Sequence, residues 1–488
     1  MTLLQAQIDM VRREPALRVS GRVASLRGLT LLVDDLPMPV GSLVSVCTDG
    51  ATLPGEVVGF TREQSIIMLL AGCSGVRPGD RVVGEQVSQT IGVSEHLLGR
   101  IVDGLGRPID GKGPIADLAP QPLDPDPLAP MRRRPIREAI YTGVRVVDLM
   151  ATLGRGQRMG VFAGPGVGKS TLLGQVARFT SADVSVLALI GERGREVRDF
   201  VENALGPDGL ARSVVVVATG DESPVMRVRA AKAACAAAEF FRDRGRDVML
   251  MMDSVTRFAH ACRQVGLSAG EPPATRGYTP SVFAALARLL ERAGAIEADN
   301  GQCGSDSGHS ATPPLRHSAT SSHAPGGSIT ALYAVLVEGD DLTEPVSDAA
   351  RGILDGHVIL SRRLAQRGHY PAVDVLDSVS RVADEVCDGV LVVARRQALR
   401  LIARYREVEE LVQIGAYASG SDPEADVAIA RRKEIDEILC QSSSESEPFE
   451  KARERLVGLM VRAGEDLRKA MPTGRSTPAA HAPAAMAR

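Results

Sequence analysis

A chain of 488 residues with 44% hydrophobic and 24% charged residues has room for roughly two to four domains, each burying its own core. Its net charge of −3 is too small to imply nucleic acid or an acidic membrane surface as an obligate partner. The seven cysteines (Cys47, Cys73, Cys235, Cys262, Cys303, Cys387 and Cys440) form no C-x-x-C pair, which fits a reducing cytoplasm better than a disulfide framework. The first residues contain no apolar stretch of signal-peptide length, and no run approaches the ~20 apolar residues of a membrane span. The expectation is a soluble, cytoplasmic protein.

In residues 1–16, Leu4, Ile8 and Val11 fall at i, i+4 and i+7, one stripe of a short helix. A frayed leader and a docking helix are both open readings. Residues 17–90 read as a small β-barrel or sandwich: "LRVSGRV", "LTLLVDD", "SLVSVC", "GEVVGF" and "SIIMLL" are apolar segments separated by Gly, Pro and Asp at short spacing. A proline-dense connector, Pro108–Pro135, should run extended over a surface.

Residues 91–382 change period. "QRMGVFAG", "VSVLALIGE", "SVVVVAT" and "DVMLMMDS" are continuous apolar runs, each suited to a strand buried on both faces. Helical stretches such as "VMRVRAAKAACAAAEFFRDRG" lie between them. This alternation predicts a parallel sheet with right-handed crossovers, an α/β core. Over 383–470 the strand signal fades. Leu401, Tyr405, Val408 and Val412 keep helical spacing, as do Phe449, Ala452, Leu456, Leu459 and Ala463. A helical C-terminal domain is expected there, and 471–488 has the composition of a disordered tail.

The stretch "FAGPGVGKSTLL" carries the chemistry. It follows an apolar strand and opens a helix. Gly164, Gly166 and Gly168 let the backbone N–H groups around Pro165 and Val167 curl about a polyphosphate, and the helix N-terminus adds its dipole. Lys169 would reach the β- and γ-phosphates, the Ser170 hydroxyl would bind Mg2+, and Thr171 continues the first turn. Ala163 stands where the strict pattern has its first glycine; a methyl group is tolerated there if φ stays negative. Asp253, closing the run "DVMLMMD", is the carboxylate expected to hold hydrated Mg2+. Glu192, closing "LALIGE", is the candidate base facing the γ-phosphate. The competing reading makes Glu192 a solvated loop carboxylate paired with Arg193 or Arg195.

Several ordered blocks go further: "LLGRIVDGLGRPIDGKGP", "GERGREVRDF", "DSVTRFAHACRQVGLSAGEPPATRGYTPSVF", "ILDGHVILSRRLAQRGHYPAVDVLDSVSR" and "LVQIGAY". From about Leu17 to Leu439 the chain resembles the ATPases of flagellar and virulence type III export, relatives of the catalytic β subunit of rotary ATP synthases. The resemblance implies a RecA-like P-loop ATPase core between an N-terminal β-barrel and a helical C-terminal domain, assembled as a homohexamer. It implies ATP and Mg2+ as substrate and cofactor. Implied partners are a stator-like regulator at the N-terminus, a central-stalk protein in the ring pore, an export gate at the membrane, and chaperone–substrate complexes. The place implied is peripheral, at the inner face of the cell membrane.

Residue by residue, the resemblance makes Glu192 the base that polarises water, Arg193 and Arg257 cations near the γ-phosphate, and Asp253 the Mg2+-water carboxylate. Tyr370, before Pro371, stands where the family stacks adenine. Arg381 resembles an arginine finger offered to the neighbouring subunit. The flagellar branch is the first reading and virulence export the second. Glu192 argues against a noncatalytic ring subunit, and the "GERGREVRDF" and "RGHYPAVDVLDSVSR" blocks look more like the export branch than a rotary synthase. An RNA-translocating hexamer such as the Rho termination factor would need an aromatic platform in front of the core, and Phe60 is the only aromatic residue before Tyr141.

The chain departs from the family over Ala295–Gly326, a Ser/Gly/His/Pro-rich segment. Cys303, His309, His317 and His323 fit no closed zinc spacing. A disordered insertion is expected, which leaves the ATP chemistry untouched.

Overall fold

Six strands come first among the described residues: β1 (Ser20–Arg27), β2 (Thr30–Asp34), β3 (Leu43–Cys47), β4 (Thr52–Phe60), β5 (Gln64–Leu69) and β6 (Arg81–Gln86). They pair antiparallel and close into a barrel in the order β1–β2–β5–β4–β3–β6. Leu31, Val33, Val46, Val57, Ile67 and Val82 fill its interior. The first five strands coincide with the apolar segments legible in the sequence. The sixth, "RVVGEQ", has only two consecutive apolar residues and is recruited because it closes the barrel edge on both β1 and β3. The computed structural model of the chain describes residues 19–86, 89–297, 326–337, 339, 341 and 343–470. The leader stripe, the Cys303/His309/His317/His323 group and the tail lie outside these residues.

The second body is a nine-stranded sheet. Its main strands are β7 (Arg100–Asp103), β8 (Arg158–Ala163), β9 (Val184–Glu192), β10 (Ser213–Thr219), β11 (Asp247–Asp253), β12 (Ser328–Leu336), β13 (Gly356–Leu360) and β14 (Val373–Ser380). They lie in the order β14–β13–β8–β12–β11–β9–β10–β7. Every neighbouring pair is parallel except β13 with β14. Strands β8 to β12 are buried along almost their whole length, which is why they read as unbroken apolar runs rather than alternating ones. Helices α3 (Pro224–Arg242), α4 (Val255–Ser268) and α5 (Pro280–Leu290) share one hydrophobic cluster on one face, where buried Ala230, Ala234, Ala237 and Ala238 allow the α3 backbone close to the sheet. The proline-dense connector is not structureless: Ala119–Pro122 pairs with Thr90–Val93 as a two-stranded ribbon.

On the opposite face, helix α1 (Arg145–Met150) and helix α2 (Lys169–Phe179) meet three C-terminal helices, α6 (Gly389–Gln413), α7 (Pro423–Leu439) and α8 (Phe449–Ala470). Val161, Leu172 and Val176 share one hydrophobic cluster with Leu401, Ile435, Ile438, Leu456 and Leu459. Tyr141 stacks on Phe449 at 4.1 Å between centroids, and Arg406 Nη2 donates to both oxygens of the buried Asp374 carboxylate at 2.6 and 2.7 Å. The helical region is therefore packed onto the loop-bearing side of the sheet. Among the described residues no helix is long and apolar enough to cross a membrane.

The insertion boundary needs a correction. Ala295 is 3% exposed and pairs with Ser328 beside β12, and the backbone N–H groups of Ile296 and Glu297 donate to Gly327 and Arg132. These three residues finish the sheet, because an alanine against β12 can be buried where the following polar segment cannot. Joining Glu297 to Gly326 through a short glycine linker should leave chemical-denaturation stability within ~1 kcal/mol, the small entropic effect of changing a loop's length. A deletion that begins at Ala295 should lower the midpoint clearly.

Candidate active site

Ala163, Asp253 and Glu192 close β8, β11 and β9, three strands of the parallel part of the sheet with β12 lying between β8 and β11, and open α/β sheets place their ligand crevice at such carboxyl ends. Ala163 is the last residue of β8, 1% exposed, and its carbonyl accepts a hydrogen bond from Val337 N at 3.1 Å. It keeps strand geometry, so no glycine is required at that position. The loop then runs through Gly164, Pro165, Gly166 and Val167 to Gly168, whose φ of +95° an L side chain would resist. Gly168 caps α2, and Lys169, Ser170 and Thr171 form its first turn with N–H groups unclaimed by earlier carbonyls. The Val167 side chain is buried beneath the loop, while Ser170 and Thr171 are exposed.

Behind this turn lies a cluster of charges. Lys169 Nζ is 2.5 Å from Asp253 Oδ1 and 4.0 Å from Glu192 Oε1, and the side chains are 11%, 5% and 12% exposed. Arg257 spans the other side: Nη2 reaches Glu192 Oε2 at 3.4 Å, and Nη1 donates to the Gly191 carbonyl. Among the described residues Glu192 Oε1 is buried without a hydrogen-bond partner. Burial first, and then the neighbouring Asp253 charge, push the Glu192 carboxyl up to about 7, against the pull of Lys169 and Arg257. A carboxylate tuned to that range can take a proton from water at neutral pH. Asp253 is 3% exposed overall, and its lysine partner is the group that a phosphate would compete for.

Tyr370 lies beside Gly168; a methyl group built on that glycine would come within 3.6 Å of the ring. The ring borders a cavity of about 320 Å³ that includes Gly168, Thr171 and Gln175 from α2 and Gln441, Ser442 and Ser443 from the α7–α8 link. Two expected residues stand apart from the cluster. Arg193 is 70% exposed and pairs with Glu196 at 3.4 Å, because it caps a short surface helix, Gly194–Asp199; the structure does not bring it to the lysine. Arg381 is exposed just beyond β14, its backbone N–H bonded to Asp355 O at 3.1 Å. Its guanidinium makes no ion pair among the described residues.

Residues 143–380 match the ATP synthase alpha/beta family, nucleotide-binding domain, and residues 392–458 match the T3SS EscN ATPase C-terminal domain. The flagellum-specific ATP synthase of Treponema pallidum is 48% identical over 451 residues, 92% of this chain and 94% of that protein. The corresponding protein of Pseudomonas aeruginosa is 44% identical over 91% of this chain and 93% of its own length. The type 3 secretion system ATPase of Xanthomonas euvesicatoria is 46% identical over 90% of this chain and 93% of its own. The chain belongs to the family of flagellum-specific and type III secretion ATPases. The solved structure of the assembled ATPase EscN from enteropathogenic E. coli superposes with a TM-score of 0.79 at 39% identity, covering 90% of this chain and all of that one.

In this P-loop ATPase two parts of the site were not legible in the sequence. Gly191 makes a bulge in β9, where pairing with β10 skips between Ile190 and Glu192. Its φ is +73°, and a Cβ there would meet Arg257 Cδ at 2.8 Å. The dipeptide Gly-Glu at the end of an apolar run was the available signal. The Ser442–Ser443 wall was hidden because a Ser-rich link between helices reads as a spacer. Gly191→Ala should cost about 1–2 kcal/mol for the strained φ, seen in chemical denaturation. It should also reduce turnover more than nucleotide affinity, since it displaces Arg257 and Glu192 rather than the loop.

Proposed function

We propose that this chain is an ATP hydrolase that energises protein export through a flagellar type III apparatus, working as a homohexameric ring. The observation that carries the reading is the joint burial of Lys169, Asp253 and Glu192 beside the glycine loop that opens helix α2. Lys169 and the N-terminal turn of α2 would bind the β- and γ-phosphates. Ser170 and Asp253 would hold Mg2+, and the fit rests on a buried carboxylate pair whose Glu192 Oε1 has no hydrogen-bond partner among the described residues. When bound, that ion supplies charge neutralisation on the phosphates. Glu192 would orient a water and take its proton, while Arg257 holds the carboxylate in place. Tyr370 would stack the adenine. Arg193 would have to swing in from the surface to contribute, so it is the weakest member of the set.

Arg381 is the part of the site that needs a second copy. An exposed arginine with no ion pair among the described residues suits a finger that neutralises charge on the transferred phosphoryl group of a neighbour, worth about 10³–10⁵ in rate in comparable enzymes. EscN is solved assembled and also in complex with its central stalk EscO; on our reading this chain likewise forms a ring around a stalk protein. It would work at the inner face of the cell membrane, with a stator-like regulator on its N-terminal leader. Hydrolysis would drive release of chaperones and unfolding of substrates delivered to the export gate. Relatives named for flagella and for type 3 secretion match at similar identity, so a virulence apparatus is the second reading.

Mixing two inactive variants tests the ring. Arg381→Ala should bind ATP, assemble and hydrolyse very slowly. Lys169→Ala should offer an intact finger beside a dead site of its own. Mixed rings, confirmed by mass, should regain hydrolysis wherever a good loop meets a good finger. No recovery at any mixing ratio would show that Arg381 acts only within its own chain.

A further inference from the structure

An arginine opens α1 at the centre of the molecule. The Arg145 side chain is 4% exposed and makes no contact with the charge cluster described above; its bonds go instead to the α7–α8 link. Its backbone N–H donates to Gln441 Oε1 at 2.8 Å, and Nε donates to Ile438 O at 2.9 Å, at the end of α7. Nη2 donates to the Cys440 carbonyl, and Nη1 pairs with Glu445 and, at 3.1 Å, with Glu447. The guanidinium holds the Glu445 carboxyl below its usual range. Gln441 completes the clamp, donating from Nε2 to Gly143 O and Glu445 O, both at 2.9 Å.

The clamped segment is the wall of the cavity beside Tyr370. Gln441 N donates to Tyr370 O at 2.9 Å. From the other side, α2 holds the same wall: Gln175 Nε2 donates to Ser442 O at 3.2 Å, and Arg178 Nη2 to Ser443 O at 2.5 Å. The link is thus pinned between the helix that starts with the phosphate loop and an arginine that never touches that loop. A fork of five donors suits this work, because it fixes several carbonyls and carboxylates in one geometry where an ammonium would fix fewer.

We infer that Arg145 is a positioning residue for the nucleotide base: through residues 440–447 it sets the base end of the site, separately from the phosphate end. The inference rests on the nucleotide-site reading above and assigns a role that the phosphate chemistry leaves open. A purely structural arginine would lower stability or the active fraction while each folded site kept its affinity. A positioning arginine alters affinity for the base and spares the phosphates.

The test compares ADP with inorganic tripolyphosphate, which can touch only the loop, by titration calorimetry on the full chain. In Arg145→Ala the Kd for ADP and the KM for ATP should rise about tenfold, the size of one lost charge-assisted hydrogen bond. Tripolyphosphate binding should not change, and kcat should stay within about twofold. Arg145→Lys should recover part of the loss. If ADP and tripolyphosphate weaken together, or neither weakens, the positioning role is overturned. Should Arg145→Ala not be recovered folded, Arg178→Ala frees the Ser443 carbonyl while leaving the Arg145 bonds in place, and gives a smaller version of the same readout. A rise in the ADP Kd alone supports the proposal, and unchanged ADP binding contradicts it. A wild-type protein that binds ADP but not tripolyphosphate would remove the phosphate-loop reading instead, and the base proposal with it.

Discussion

The 2.5 Å contact between Lys169 and Asp253 is the constraint on which the rest of the site depends. Both side chains are nearly buried, and a carboxylate left unpaired at such a depth would cost several kcal/mol. The pairing sets the cation proposed to bind phosphate against the carboxylate proposed to hold the metal, so that each neutralises the other. Phosphates arriving on the loop would claim the lysine, and the carboxylate would then be available to a hydrated cation. Glu192, 4.0 Å away, has one buried oxygen with no hydrogen-bond partner among the described residues, a place where a bound water would find an acceptor. Active sites commonly hold such clustered charges in a form that ligand binding rearranges.

The fold supports this cluster from both sides. Its carboxylates stand at the ends of strands buried on both faces, which fixes Asp253, Glu192 and the loop relative to each other. One hydrophobic cluster continues from the sheet through α2 into the three C-terminal helices. Close-packed interiors transmit displacement rather than absorb it, so a change at the first turn of α2 must be felt in the α7–α8 link. On the barrel side, the buried Arg229 and Glu56 pair at 3.4 Å, and burial raises the Glu56 carboxyl. That tie joins helix α3 of the core to barrel strand β4. Nucleotide chemistry at the centre is therefore connected both to the barrel and to the helical end.

Much of this was legible in the sequence, for physical reasons. Unbroken apolar runs gave away the parallel strands because both faces are covered, and the closing residues of two such runs, Asp253 and Glu192, were identifiable by their place at the strand ends. The helical spacing of Leu401 and Leu456 follows directly from the cluster they fill. Strand β6 was illegible because barrel closure, not its own pattern, recruits it. Arg145 was invisible for a different reason. Its partners lie about 300 positions further along the chain, and no local period reports a contact of that range. Arg193 follows Glu192 directly in sequence, but it caps the surface helix Gly194–Asp199 and its side chain pairs with Glu196.

On the proposed reading the buried charges divide binding from hydrolysis, with Lys169 serving the first and Glu192 the second. The most direct measurement is nucleotide affinity and single-site turnover, determined separately, in Lys169→Ala and Glu192→Gln. Lys169→Ala should lose nucleotide binding, because the loop loses its only charge on the phosphates. Glu192→Gln should keep affinity for Mg-ATP and lose turnover by about 10²-fold or more, since its shape survives while its proton-accepting group does not. Normal turnover in Glu192→Gln, or full nucleotide affinity in Lys169→Ala, would contradict the claim.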